Sequence, residues 1–287
     1  MDIVFDTYKR EGWMRIISEF SKCTDVGDSE EIWLCFPNLS VAELRPLHIA
    51  SLACLIEHFY ILGCNIVLEQ TEVGEYLFHS LKFSEYWLDK AERSNYTIAN
   101  DKSVFNLWHI TDGGKELYGR YIKDYLYVHF WKGKDLSPVQ LSITEACYNT
   151  LDHAQADGNA FSFVKYDEVT HILSVAVCDF GIGIANSVKG VYPDFSDEEA
   201  LKMAINANFT VGTKSYNAGM GLDVIKSSVT DDLNLTIISN RAFLISDNRT
   251  TKTGTLDFSF DGTLLEYDMN LSKYDNSDDE LLSEVTF

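Results

Sequence analysis

Basic residues are scarce in this chain: 23 Lys and Arg stand against 44 Asp and Glu, a formal net charge of −21 over 287 residues. Such a surplus repels phosphate backbones and anionic bilayers, which excludes extended nucleic-acid or membrane-surface contacts, so any nucleotide must be held locally. No apolar run approaches the roughly 18 to 20 residues of a membrane span, and the chain opens on Asp2 and Asp6 where a basic leader would stand. CxxC pairs are absent too. Cys23, Cys35, Cys54, Cys64, Cys147 and Cys178 lie apart, mostly in apolar stretches where the thiol acts as a small hydrophobe, so a reducing, cytoplasmic setting is expected. There is no internal repeat or low-complexity tract, and the acidic run Asp275 to Glu280 reads as a solvated end.

What remains suits a packed protein: 46% of residues are hydrophobic and 13% aromatic. The length allows two domains, and the periodicity divides accordingly into an α/β part and an α+β part. In the first part, expected at residues 1–105, strand patterns at Ile32–Phe36 and Asn65–Leu68 alternate with helical ones at Ala42–Leu62 and Glu72–Leu81. That order implies a parallel sheet with helices. The second part, expected at 106–273 and followed by an acidic tail at 274–287, offers helices at Glu116–Trp131 and from Ser137, with Ser137 as N-cap and Pro138 in the first turn. Antiparallel strands follow at Ala160–Val164 and His171–Val177, then a helix near Glu198–Ala207, another at Gly219–Ser228, and three or four closing strands between Leu233 and Met269.

Three stretches carry chemistry. On the helix holding Thr144–His153, Glu145, Asn149 and either Asp152 or His153 share a face, because residues three and four apart are neighbours. Asn149 offers an oxygen to Mg²⁺, and Glu145 can take a proton from an attacking water or hydroxyl. Asp179-Phe-Gly181-Ile-Gly183 ends a strand pattern, setting a carboxylate able to accept the exocyclic amine of adenine beside backbone that lets a flat base approach. Gly212-Thr213-Lys214 through Gly219-Met220-Gly221-Leu222 runs a glycine-rich loop into a helix start, whose free amides and dipole suit phosphates. The Walker pattern is missing and the glycines follow no Rossmann strand, so a different phosphate cradle is required.

In order and spacing these stretches resemble the motifs of the GHKL ATPases, the superfamily of gyrase, the ninety-kilodalton heat-shock chaperones, histidine kinases and MutL-type proteins, over residues 115–271. The resemblance implies a Bergerat-fold α/β sandwich with a mixed sheet, binding ATP and Mg²⁺. By that likeness the helix is the N box, with Glu145 as base and Asn149 on the metal. Asp179, Gly181, Gly183 and Ile184 form the first glycine box. Gly212, Thr213, Lys214, Gly219, Met220, Gly221 and Leu222 hold phosphates, and residues 184–218 form the mobile lid. A late Gly-Thr is also implied; Gly262-Thr263 is preferred to Gly254-Thr255 because the apolar strand Leu264–Met269 follows it.

Residue types sort the subfamilies. Glu145 stands where histidine kinases usually carry His or Asn. Glu145, Asn149 and His153 are similar to the anti-sigma-factor serine kinases, whereas Asp152 echoes the gyrase and MutL types. Both an ATPase and a protein serine/threonine kinase therefore stay open, beside a non-catalytic nucleotide-sensing switch. The stretch Ala42–Leu47 looks like a histidine-kinase phosphoacceptor box, but Ala42 replaces the accepting histidine, and the match reads as coincidence. Residues Ile32–Trp87 more nearly resemble a STAS-type domain, which implies a docking or regulatory module. Its phosphorylatable serine is replaced by Glu43–Pro46, so a phosphoacceptor is expected on a partner chain, a STAS-type or other regulatory protein; a homodimer is also allowed.

Overall fold

The structure, a computed structural model, describes residues 1–87, 102–152, 158–206, 221–229, 233–247 and 249–276. The chain begins β1 (Asp2–Val4), α1 (Arg10–Phe20), β2 (Glu31–Cys35), α2 (Pro46–Ile61) and β3 (Asn65–Leu68). These strands form a parallel sheet in the order β1-β2-β3. Two of its elements, β1 and α1, extend beyond the strand–helix pattern expected from the sequence. Ile32 and Leu34 of β2 point inward, while Glu31 and the partly exposed Trp33 face out, the alternation of a sheet covered on one face.

Helix α2 is buried almost all round, from Pro46 through Glu57 and again at Phe59, as its continuous apolar sequence requires. It starts at Pro46, later than the periodicity suggested, because Val41–Glu43 forms a 3-10 turn. Fully buried leucines and isoleucines such as Leu55 (0% exposed) each stabilise by roughly 1.5–3 kcal/mol. The expected helix at Glu72–Leu81 is only one α-turn, α3 (Glu72–Glu75), continued as a π-turn over Tyr76–Ser80, before α4 (Phe83–Trp87).

Beyond it come β4 (Trp108–His109), α5 (Lys115–His129), α6 (Ser137–Asp152), β5 (Ala160–Asp167), β6 (Ile172–Asp179), α7 (Ile184–Lys189), α8 (Asp197–Ala204), α9 (Leu222–Ser228), β7 (Leu235–Ser246) and β8 (Thr251–Asn270). The five strands order as β4-β5-β6-β8-β7. Every pairing is antiparallel, so the sheet is not the mixed one expected. The closing strands are two long ones in place of three or four, because the register slips at Ser239, Asn240 and Ala242 absorb residues that look like turns in the sequence.

Alternation along this sheet divides the core. Val175, Val177, Leu265 and Tyr267 pack with α5 to α9 on one face. Phe161, Phe163, Ala176, Cys178, Ile238 and Leu264 pack on the other with α1 and α2. The molecule is thus mixed α/β in four layers: parallel sheet, two helices, antiparallel sheet, helices. The segments expected as separate domains share one of the two hydrophobic clusters. Charged links cross the same junction: Arg10 reaches Glu266 at 2.8 Å, and Arg45 reaches Glu266 at 2.8 Å and Asp268 at 3.0 Å. Arg45 belongs to the stretch that imitates a phosphoacceptor box; here it precedes the first turn of α2, where its N–H donates to Nδ1 of buried His48 at 2.8 Å. No helix among the described residues is long and apolar enough to cross a membrane.

Candidate functional site

Helix α6 is fixed at its start by Asp135, whose carboxylate accepts the Ser137 N–H at 2.9 Å; bonding to Ser137 holds that carboxyl below its ordinary range. Ser137 is thus the first residue of α6 and not its N-cap: the Val139 and Gln140 N–H groups, which a capping hydroxyl would accept, donate to the Leu136 carbonyl at 3.1 and 3.3 Å. On the inner face of the helix, Asn149 Nδ2 donates to the Glu145 carbonyl at 2.8 Å, which leaves Asn149 Oδ1 as the atom able to accept or ligate. Glu145 lies one turn earlier and is buried.

Asp179 closes β6 and is 1% exposed. It accepts the Gly181 N–H at 2.9 Å. Burial pushes its carboxyl up to about 7, against the opposing pull of the Gly181 and Thr263 backbone N–H groups. Two glycines make this corner. Gly183 (φ 79°) and Gly262 (φ 132°) lie in the left-handed region, and a Cβ at Gly262 would stand 2.1 Å from the Asp179 carbonyl oxygen. Ser239 seals the corner by donating to the Gly262 carbonyl at 2.8 Å, and Thr263 Oγ1 accepts the Ile184 N–H at 3.0 Å as α7 begins.

Asn149, Asp179, Ile184 and Thr263, expected from three distant stretches, line one cleft. Ala146, Thr150, Val177 and Leu265 complete it. The cleft encloses about 10 Å³, the room of a single water, so a purine requires its walls to part. Gly181 and Gly183 shape the corner without lining the cleft. Of the two Gly-Thr pairs, Gly262-Thr263 belongs here. Gly254 instead lies under the Phe243 ring, and Thr255 donates to Glu198 at 2.8 Å.

Other expected residues stand differently. Leu222 is buried at the start of α9, and the Gly221 N–H is taken by the Asp223 carboxylate at 3.0 Å. Asp152 is the last residue of α6. His153, Gly212, Thr213, Lys214, Gly219 and Met220 lie outside the described residues. Within the stretch expected as a lid, residues 184–206 contain α7 and α8, whose Ile184, Ala185, Val188, Ala200 and Leu201 are anchored in the core; this part is packed structure, not a free flap. The remainder, 207–218, lies outside the described residues.

Sequence reasoning missed Ala146 and Thr150, although Ala146 lies three residues before Asn149 and Thr150 four residues after Ala146, spacings that share a helical face. It also missed Ser239, which marks the end of an alternating apolar run just before the register slip. Among the described residues no group of three or more His, Cys, Asp or Glu could hold a metal. All six cysteines are free thiols. No protein-family model matches the chain, and no curated protein sequence does.

Proposed function

We propose that the chain binds Mg·ATP in this cleft and acts as a GHKL-type regulatory protein that hydrolyses ATP or transfers its γ-phosphate to a partner protein. The observation that carries the reading is Asp179: a fully buried carboxylate, held by backbone N–H groups and raised to about 7, at the mouth of a cleft that Asn149 and Thr263 also line. Burying a carboxylate without a cation is costly, and groups so perturbed concentrate at binding sites. An adenine amine donating to Asp179 would offset that cost.

In this reading Asn149 Oδ1 supplies the one protein oxygen of a magnesium whose other ligands are phosphates and water, the usual arrangement for that ion. The metal would neutralise phosphate charge; positioning by the cleft would do most of the rest. Glu145, one turn from Asn149, takes the proton of the attacking water or partner hydroxyl. The amides of residues 219–222 complete the phosphate cradle, with Gly221 exchanging its bond to Asp223 for one to phosphate. The N-terminal segment, STAS-like in its sequence pattern, docks or regulates.

The alternative is a nucleotide-sensing switch without turnover. The closed cleft favours it, since opening to admit a base is itself a conformational signal. Glu145→Ala separates the readings: phosphate release or transfer is expected to vanish while affinity for a non-hydrolysable ATP analogue stays near that of the unaltered chain. Turnover that survives the substitution removes Glu145 as the base.

A further inference from the structure

The face of the antiparallel sheet opposite the cleft is covered by α2, and that helix is bonded to the residues on both sides of Asp179. Cys54, at the centre of α2 and 0% exposed, points its thiol at the Cys178 carbonyl, with Sγ 3.2 Å from the oxygen. Cys178 immediately precedes Asp179. The Cys54 carbonyl in turn accepts Asn159 Nδ2 at 3.1 Å, and the Asn159 carbonyl accepts the N–H of Phe180, the residue after Asp179, at 3.1 Å. Helix α2, the start of β5 and the end of β6 are thus joined by bonds on either side of Asp179, whose carboxylate lies on the other face and accepts the Gly181 N–H.

Stability alone does not explain these bonds. Asn159 is 8% exposed, and its Oδ1 is buried with no partner among the described residues, an arrangement that costs stability. The same N-terminal segment grips the neighbouring strand β8 through Arg10 and Arg45 on Glu266. Strand β8 also carries Thr263. Displacement of α2 against the sheet would therefore act on the paired strands β6 and β8, where Asp179 and Thr263 stand in register beside the cleft.

We propose that Cys54 and Asn159 are positioning residues through which the N-terminal segment sets the geometry of Asp179 and so the nucleotide affinity of the cleft. The inference rests on the nucleotide-binding reading above. It identifies the regulation of that site as mechanical contact from behind, with no need for a regulator to enter the cleft.

The test is titration of the full chain with a non-hydrolysable ATP analogue and Mg²⁺, beside thermal melting of each variant. Cys54→Ala and Asn159→Ala should weaken binding by about fivefold or more, the lower end of typical coupling between sites. Cys54→Ser keeps a donor and should restore affinity. Ile56→Ala, two residues on and so on the opposite side of α2, should lower the melting temperature without weakening binding. Loss of affinity in step with melting temperature across all four, Ile56→Ala included, would reduce these bonds to a structural role and overturn the proposal. So would wild-type affinity in both alanine variants. A readout that needs no variant is hydrogen exchange of the unaltered chain: the analogue should slow exchange in α2, which it does not touch, and unchanged exchange there overturns the inference even while binding persists. A chain that binds no nucleotide at all overturns the functional reading and this inference together.

Discussion

At pH 8 Asp179 is ionised in a fully buried position, whereas at pH 5 it holds its proton. Because burial raises the folded-state value from 3.8 to about 7, the folded chain binds this proton more tightly than the unfolded chain. The penalty is absent below the unfolded value, grows as pH rises through the window between the two, and is complete above 7. Asp179→Asn removes it while keeping an oxygen for the Gly181 N–H. The variant should therefore gain on the unaltered chain from pH 4 to pH 7, by about 4 kcal/mol at most, and hold a constant advantage above that. Denaturant unfolding across that range measures this; a difference that does not vary with pH contradicts the burial argument. The residue was legible in the sequence as a carboxylate followed by alternating glycines. Its environment was not, because apart from nearby Ile184 the neighbours that surround it come from α6 and β8, remote in the chain.

At the scale of elements, the hairpin of β7 and β8 explains both the strength and the limit of the sequence pattern. Alternation located the strands, but Asn240-Arg241 and Asp261-Gly262-Thr263 carry turn formers, and they read as breaks. In the fold they are irregularities within two continuous strands, with Asn240 at φ 53° and Gly262 at φ 132°. The irregularity brings Gly262 against the backbone of Asp179, so the same residues that obscured the strands build the site. Gly262→Ala should accordingly cost on the order of 3 kcal/mol or more, because both the angle and the backbone contact oppose a side chain. Gly254→Ala meets only the Phe243 ring at 2.5 Å, a side chain that can swing. Its effect should stay within about 1 kcal/mol. Equal midpoints for the two variants in denaturant would refute this account of the corner. Helices α5 and α6 were legible because their periodicity is set by one apolar face. The helices α7 and α8 lie where the family pattern implied a lid, and only the packing of Ile184, Val188 and Leu201 reveals them as core.

For the whole molecule, the cluster shared by α1, α2 and the antiparallel sheet governs how the chain unfolds. Phe161, Phe163, Cys178 and Leu264 are buried by the N-terminal segment, and Glu266, its side chain 2% exposed, is held by arginines from that segment. Calorimetry of the full chain should show the N-terminal segment and the sheet melting in a single transition; two separated transitions would contradict the shared core. The sequence suggested two domains because each half has its own strand and helix periods. Periodicity carries no information about which face of a second sheet covers a helix that is apolar all round. Across this arrangement the central claim remains the cleft beneath Asp179. Its most direct test is isothermal titration calorimetry at pH 8 with Mg²⁺ and a non-hydrolysable ATP analogue, on the unaltered chain and on Asp179→Asn. The account predicts saturable one-to-one binding by the former and none by the latter. Equal binding by both, or no binding by the unaltered chain, would contradict it.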